Sequence, residues 1–412
     1  MRKSDSEGKT DPAEEREQKA EERLARAAKL NLTPTQIADR LRQSVVGQDE
    51  AVRVVATYLA THLATNVSRA ASGMPFLGNV PRLPNLLLVG PTGCGKSALL
   101  RACTSLTGLP AAVADATQLT ETGWVGETAG DWLKGLLAQA NGSTTLCEQG
   151  LLMIDECDKR VAVPGPHRDI SGAGAQDALL RLLDHAVVNI EIQEGPGSRR
   201  YIPIRTQSML IMLAGAFVGC QDHVARRLRG KGSLGFSSKA DPTSGLSAEE
   251  LRARLTTADL ISMGLKPEIV GRIGRIVMMN DLDRASMRQI LAEVHGGPVK
   301  TLNAIADRMG FRLEFPPRLL DAIVDRALAS GLGARALHTY AAKAAERALH
   351  EVPDLIRKVG RTVPWGCTVI QLRSDSLDNG YWRARHELPY SHREIEIPAE
   401  PATRARRAAR GG

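Results

Sequence analysis

A glycine-rich stretch has the composition and spacing of a phosphate-binding loop. It reads Gly90-Pro91-Thr92-Gly93-Cys94-Gly95-Lys96-Ser97 and matches G-x-x-x-x-G-K-[ST] in full. An apolar run precedes it and a helical pattern continues from Ala98, which is the context this loop requires. Glycines let successive main-chain N–H groups turn towards phosphate oxygens, and the helix N-terminus adds its positive dipole end. These residues, together with Ala98, predict an ATP site in which Lys96 reaches the β and γ phosphates and the Ser97 hydroxyl binds Mg²⁺.

Two adjacent carboxylates complete the predicted chemistry. The apolar run 151–154 ends in Asp155 and Glu156. A carboxylate at the end of a strand beside the phosphate loop can hold Mg²⁺ through water, and a neighbouring glutamate can polarise the attacking water. General-base assistance of this kind contributes roughly 10²–10⁴ in rate. We therefore predict that Asp155 serves the metal, that Glu156 is the general base, and that the site hydrolyses ATP.

Short apolar runs alternate with helical patterns around these motifs. Continuous apolar strands between helices are typical of a parallel sheet that is covered on both faces. From about Asp281 the pattern becomes mostly helical. The fold class predicted is α/β, followed by a smaller, mainly helical domain. The predicted strands are 85–89, 109–113, 151–154, 209–214 and 276–279, with two short ones at 311–315 and 367–372.

Composition shifts along the chain predict four regions. Residues 1–31 form a charged extension, and its Glu-, Arg-, Lys- and Ala-rich part is expected to be either disordered or a lone solvated helix, and to bury no core. The folded part is expected to begin near Thr33, as an N-cap, and Pro34. A large α/β domain at 32–255 and a smaller C-terminal domain at 256–373 follow. A polar tail at 374–412 is expected to be disordered.

Overall composition excludes several classes of protein. With 412 residues of which 43% are hydrophobic, the chain can form a sizeable core. No apolar run approaches the roughly 18 residues of a membrane span, and the first residues lack a secretory signal, so a cytoplasmic protein without a membrane partner is expected. A net charge of +8 is spread along the chain, so a nucleic-acid partner is not expected. The six scattered cysteines lack zinc-ligand spacing and are expected to be free, buried thiols.

Further motifs follow in a recognisable order. They are Ala114–Thr117, Thr120–Glu127, Ile154–Lys159, Arg168–Gly172, Gly215–Phe217 and Pro267–Arg272. Together with the phosphate loop, over about residues 33–373, they closely resemble the ClpX family of AAA+ protein unfoldases. The resemblance implies an AAA+ P-loop ATPase domain with a parallel sheet between helices and a smaller, mainly helical C-terminal domain. It also implies a homo-oligomer, a hexameric ring that binds nucleotide between subunits.

The resemblance assigns roles around the nucleotide. Val45 and Val46 match the segment that packs on the adenine. Arg272 matches the arginine that is offered to the γ-phosphate of the neighbouring subunit, and Arg335 matches the second sensor. Around residues 213–215 the sequence offers no polar side chain as a first sensor.

Two loops resemble those that contact protein partners. Gly123-Trp124-Val125-Gly126 matches the axial pore loop, in which the family usually has tyrosine, and a bulky side chain between glycines suits a grip on arbitrary polypeptide. Leu234-Gly235-Phe236 resembles the tripeptide that docks on a ClpP-type peptidase. The family's Arg-Lys-His loop is reduced here to Arg199 and Arg200. Its four-cysteine zinc domain is not expected, since residues 1–30 contain no cysteine.

The predicted function is therefore an ATP-dependent unfoldase and translocase. It threads unfolded or tagged proteins through a hexamer pore into a ClpP-type peptidase. One alternative is a protease-independent remodelling chaperone, which the Leu-Gly-Phe tripeptide disfavours. The other is an AAA+ nucleic-acid motor, which only the basic charge favours.

Overall fold

The computed structural model describes residues 12–74, 83–118, 128–160, 170–184, 186–195, 198–230, 242–359, 368–373, 376–379, 382–388 and 391–393. The chain divides into two compact units. The first contains residues up to 91 together with 95–280, and the second contains 92–94 together with the chain from 281 onwards. Within the described ranges, no helix has the length and apolar character to cross a membrane.

The first unit combines twelve α-helices and seven strands among its described residues. Its strands are β1 (Asn85–Val89), β2 (Ala111–Asp115), β3 (Leu151–Asp155), β4 (Val187–Gly195), β5 (Ser198–Arg205), β6 (Leu210–Gly215) and β7 (Ile273–Met278). Its helices are α1 (Pro12–Ala28), α2 (Pro34–Arg42), α3 (Asp49–His62), α4 (Ser68–Ala71), α5 (Lys96–Thr107), α6 (Ala129–Gln139), α7 (Thr144–Glu148), α8 (Ile170–Leu183), α9 (Cys220–Gly230), α10 (Ala248–Arg252), α11 (Thr257–Ser262) and α12 (Pro267–Val270).

Five of these strands form one parallel sheet, which confirms the predicted fold class. The strand order is β2-β3-β6-β1-β7, and Leu87 of β1 lies opposite Leu213 of β6. Strand β6 is buried along its whole length and β1 and β3 nearly so, because helices cover both faces and leave no strand face for water. Strands β4 and β5 form a separate antiparallel hairpin.

Helix α1 corrects the expectation for the N-terminal extension. The helix forms, but it is not a lone solvated one: Ala20, Leu24 and Ala27 are only 3%, 1% and 0% exposed. These positions are spaced i, i+4 and i+7, so they form one apolar stripe, and small alanines allow close approach to the rest of the unit. The folded part therefore begins within α1, earlier than Thr33. Thr33 itself is the N-cap of α2, as predicted, and its hydroxyl accepts the Gln36 N–H.

The second unit has a helical core and its own small sheet. Its helices are α13 (Arg284–Ala292), α14 (Pro298–Arg308), α15 (Pro317–Ser330), α16 (Arg335–Val359) and α17 (Ser376–Asn379). Its strands are β8 (Arg312–Glu314), β9 (Thr368–Leu372), β10 (Trp382–Leu388) and β11 (Ser391–Arg393), in the order β11-β10-β9-β8.

Two features of this unit differ from the expected regions. The units divide at Asn280 rather than at residue 255, because β7 pairs with β1 and so belongs to the first sheet. Part of the expected disordered tail is ordered: β10 pairs with β9, Trp382 is 6% exposed, and its Nε1 donates to Glu351 Oε2 at 3.1 Å. Burial of the indole ring and pairing of the strand give this segment its structure.

The described cysteines confirm the prediction of free, buried thiols. They are Cys94, Cys103, Cys147, Cys157 and Cys220. Burial raises the pKa of Cys103, Cys147 and Cys157 to about 12. These three thiols are therefore neutral at physiological pH and unreactive, since the thiolate is the reactive form.

Candidate nucleotide-binding site

The phosphate loop lies at the carboxyl end of β1, between that strand and α5. Gly93 and Gly95 have φ values of +80° and +111°, which side chains with a Cβ rarely adopt. The Gly90 N–H donates to Gly215 O at the end of β6, at 3.1 Å. The loop thus starts from a fixed point on the sheet, and its main-chain N–H groups precede the positive end of the α5 dipole.

Lys96 begins α5 and is only 8% exposed. Its Nζ donates to Gly90 O at 2.6 Å and to Pro91 O at 3.0 Å, so the ammonium lies against the first two residues of the loop. A buried ammonium held by main-chain carbonyls is a fixed positive charge, which suits an anionic ligand such as a phosphate. Ser97 follows it in the first turn of the same helix.

Asp155 and Glu156 lie at the carboxyl end of β3, as predicted. Glu156 is exposed and has a φ of +57°, in the left-handed region that is uncommon for a residue with a side chain. Asp155 Oδ1 accepts the Glu156 N–H at 2.9 Å and helps to hold this bend. Such backbone strain is characteristic of functional sites, where it directs a side chain away from the path of the strand.

Strand β6 lies between β1 and β3 and ends without a polar side chain. Instead, Asp158 accepts the main-chain N–H groups of Ala216 and Phe217 at 3.2 and 3.0 Å. A Cβ on Gly215 would meet Asp158 Oδ1 at 2.6 Å, so only glycine allows this approach. Because β6 lies between β1 and β3, the phosphate loop at the end of β1 and the carboxylates at the end of β3 are two strand spacings apart, about 10 Å. Asp158 belongs to the sequence motif Ile154–Lys159, but its position in the motif gave no sign of this contact.

The predicted adenine segment lies beside the end of β7. Val45 is buried, and Gln48 is 2% exposed. Gln48 Nε2 donates to Asn280 O at 2.9 Å, and Gln48 Oε1 accepts the Asn280 N–H at 2.8 Å. This paired contact fixes the segment Val45–Gln48 against the last residue of the first unit. The sequence pattern gave no sign of it, because the two residues are distant along the chain.

Arg272 follows α12 and is paired within its own chain. Its Nε and Nη2 contact Asp184 Oδ1, and its Nη1 donates to Glu268 O at 2.6 Å. The side chain is 34% exposed, so the guanidinium lies at the protein surface, ordered by an aspartate. Its predicted role towards a neighbouring subunit stays a prediction. Asp184 was missed, since nothing in the sequence links it to Arg272.

Within the second unit, the Ala334 N–H donates to Gly93 O at 3.2 Å. A Cβ on Gly93 would meet Leu332 O at 2.5 Å, a second reason for glycine at this position. Arg335, the predicted second sensor, begins α16 and is exposed.

The residues predicted to contact protein partners lie mostly outside the described residues. This applies to Gly123–Gly126, which includes Trp124, and to Leu234, Gly235 and Phe236. Arg199 and Arg200 are described and lie exposed on β5. Trp132 of α6, which follows the predicted pore loop in the sequence, is 5% exposed and belongs to the core.

The arrangement combines a loop for phosphates with a carboxylate pair. Lys96, the loop glycines and the dipole of α5 supply positive potential. Asp155 and Glu156 place two carboxylates at the same edge of the sheet. Among the described residues, no group of three or more His, Cys, Asp or Glu could hold a metal by itself. The chemistry of this site fits Mg²⁺, which typically takes one or two protein oxygens together with nucleotide phosphates and water.

This fold and site define an AAA-type ATPase. Residues 82–276 match the family described as "AAA domain (Cdc48 subfamily)". Over a longer range, the chain is similar to bacterial proteins named "ATP-dependent Clp protease ATP-binding subunit ClpX". The one from Bacteroides fragilis is 34% identical over 340 residues, which cover 80% of this chain and 80% of that protein. Those from Bacteroides thetaiotaomicron and Porphyromonas gingivalis are each 33% identical, over 344 and 311 residues.

The chain belongs to the ClpX family. It hydrolyses ATP, and its function is that of an ATP-dependent Clp unfoldase.

Proposed function

We propose that this protein threads polypeptide through the axial pore of a homo-hexamer and delivers it to a ClpP-type peptidase. The observation that carries the proposal is the placement of Lys96, Asp155 and Glu156 at one edge of one sheet. This is the edge at which open α/β sheets bind ligands. The names of the relatives add a Clp protease as partner. We also place the protein in the cytoplasm.

In this proposal, Ser97 and, through water, Asp155 would hold Mg²⁺. The metal supplies charge neutralisation of the phosphates when bound. The main-chain N–H groups of residues 90–95 and the Lys96 ammonium bind and orient the triphosphate. Val45 and Val46 pack against the base. Glu156 accepts a proton from the attacking water, and its exposed carboxylate on a strained bend supports this role.

Two arginines complete the site in the proposal. Arg272 is presented to the γ-phosphate bound by the neighbouring subunit, where a permanently charged planar donor stabilises the transition state. Its pairing with Asp184 supports a fixed orientation of the guanidinium at the surface. Arg335, the first residue of α16, is the second sensor of the nucleotide in this proposal.

Trp124 is proposed as the side chain that grips the substrate. The test compares Trp124→Ala with Trp124→Tyr, which restores a large aromatic ring. ATP hydrolysis and the unfolding of a tagged fluorescent reporter are measured for both. We expect Trp124→Ala to hydrolyse ATP and lose reporter unfolding, and Trp124→Tyr to retain both. Full unfolding by Trp124→Ala would remove the pore role.

Leu234 and Phe236 are proposed to dock on the peptidase. With the cognate peptidase present, Phe236→Ala is expected to unfold the reporter but not to support its degradation. Ser237→Ala, one position away, serves as the matched control. Degradation by Phe236→Ala at the wild-type rate would favour a remodelling chaperone that acts without a protease.

A further inference from the structure

The guanidinium of Arg23 on α1 lies against the C-terminal ends of two other helices. Its Nε and Nη2 donate to Gly108 O at 3.3 and 2.8 Å, and its Nη1 donates to Gln139 O at 2.8 Å. Gly108 is the C-cap of α5, and Gln139 is the last residue of α6. Carbonyls in the last turn of a helix lack a donor within that helix, and a planar guanidinium can serve two of them at once.

Gly108 and Gln139 are also the two ends of one segment of the chain. Between them lie β2, then residues 119–127 with Trp124, which lie outside the described residues, and then α6. A second contact joins the same ends, since Gln139 Oε1 accepts the N–H of Ala111, the first residue of β2, at 3.1 Å. The segment that carries Trp124 is thus closed at its base, and Arg23 bonds to both ends.

Helix α1, which carries Arg23, is itself anchored to the rest of the first unit. The buried stripe of Ala20, Leu24 and Ala27 packs it onto the first unit. Near its N-terminal half, the Ser143 hydroxyl donates to Glu17 Oε1 at 3.2 Å. Ser143 is the N-cap of α7, the helix that precedes β3. Because α1 is anchored by these contacts, Arg23 is held in a fixed position relative to the sheet.

We propose that Arg23 is a positioning residue that braces the base of the Gly108–Gln139 segment against mechanical load. Helix α5 begins at Lys96 in the phosphate loop and ends at the carbonyl that Arg23 binds. While Arg23 bonds to both ends of the segment, the sheet resists a pull on it. Without these bonds, the ends of α5 and α6 separate under load, and part of the movement that pulls the substrate is lost. The inference rests on the proposed pore role of Trp124.

The test uses the full chain and one tagged reporter in two forms, a stable one and a variant destabilised by substitution. Arg23→Ala is expected to hydrolyse ATP within about twofold of wild type and to unfold the destabilised reporter at a similar rate. The stable reporter should unfold about tenfold more slowly, because only a substrate that resists unfolding puts a large force on the hydrogen bonds of Arg23. ATP consumed per stable reporter therefore rises by about the same factor.

Two further variants separate bracing from a general structural role. Arg26→Ala removes the same charge from an exposed position of α1 and is expected to match wild type. Arg23→Lys keeps a donor that can reach one carbonyl, so it is expected to restore part of the lost rate on the stable reporter. Equal slowing of both reporters, or a parallel loss of ATP hydrolysis in Arg23→Ala and Arg23→Lys, would overturn the inference. Wild-type protein that unfolds neither reporter would instead overturn the proposed function, and this inference with it.

Discussion

The first sheet has two edges, one at the carboxyl ends and one at the amino ends of its strands, and the two edges place their polar residues differently. At the carboxyl ends of the strands, Glu156 is exposed on a left-handed bend, and the phosphate loop relies on glycines with positive φ. At the amino ends, polar side chains are bonded to main-chain carbonyls, whether buried or only half-buried. There His62 is 4% exposed, its Nε2 bonds Gln149 O at 2.9 Å, and Arg23 bonds two helix ends.

This difference assigns ATP hydrolysis to one edge of the sheet and the stability of the fold to the other. An exposed, strained carboxylate contributes little to folding but is available to water and nucleotide. His62 and Arg23, at the amino edge, are bonded to main-chain carbonyls away from the phosphate loop, so they hold the fold together without facing a ligand. Substitutions at the carboxyl edge should therefore change hydrolysis and spare stability, and those at the amino edge should do the reverse. Substitutions of Arg272, Glu156, Leu24 and His62 test that separation.

Arg272→Ala is expected to lower the rate of ATP hydrolysis by about 10³–10⁵, the range for arginine fingers in phosphoryl transfer. Nucleotide affinity, measured with a fluorescent ATP analogue, should change little. Arg275→Ala is the matched control, since that arginine pairs with Glu50 at 3.0 Å on the exposed face of β7. Hydrolysis by Arg272→Ala near the control rate would reduce Arg272 to a surface partner of Asp184.

Glu156→Gln is expected to lower hydrolysis by about 10²–10⁴ through loss of the base, while the protein still binds ATP. Its thermal midpoint should stay that of wild type, because the side chain is exposed. Glu249→Gln, on the exposed first turn of α10, is the control. When Glu156→Gln and Arg272→Ala subunits are mixed, some activity should return if sites are shared. Mixtures that stay inactive would argue for sites contained in one subunit.

Leu24→Ala is expected to lower the free energy of unfolding by about 3 kcal/mol, because it leaves a cavity under α1. Hydrolysis at saturating ATP and at low temperature should be preserved. Urea denaturation measures the first quantity and a coupled ATPase assay the second. Val113→Ala, at an exposed position on the edge strand β2, should cost far less. A large loss of hydrolysis in folded Leu24→Ala would break the separation of the two edges.

His62 should make the amino edge sensitive to acid. Burial lowers the pKa of His62 from 6.5 to about 4, although the hydrogen bond to Gln149 O acts in the opposite direction. In the neutral ring, that carbonyl selects the tautomer with the proton on Nε2. Between pH 6.5 and 4 the unfolded chain binds a proton that the folded chain refuses. Stability therefore falls as the pH decreases through this window, by about 2 kcal/mol at pH 5 relative to pH 8.

His62→Gln keeps a donor for Gln149 O but does not titrate. It should show a smaller loss of stability between pH 8 and 5 in urea denaturation at each pH. The same acid-dependent loss in this variant and in wild type would mean that other groups cause it.

The sequence predicted the carboxyl edge well because its signals are local. The phosphate loop is one contiguous stretch, and Asp155 and Glu156 end an apolar run, so spacing alone places them. Thr33 was found in the same way, as an N-cap directly before a proline. What the spacing did not reveal is tertiary: Asp158 under the end of β6 and Asp184 beside Arg272 depend on how the strands assemble.

The amino edge was predicted poorly, for a physical reason. In α1, the stripe of Ala20, Leu24 and Ala27 is diluted by many charged side chains, so average hydropathy described the segment as solvated. Two of the three buried residues are small, and their value lies in close approach rather than in apolar area. Trp382 in β10 is a similar case, since one buried ring and a neighbouring strand order a stretch whose composition looks like a tail.

The bend at Glu156 also carries a warning for engineering. Glycine or asparagine would adopt that backbone with less tension, so a screen for hardier variants would be drawn to this position. Such a screen would select a more stable protein that binds ATP but does not hydrolyse it.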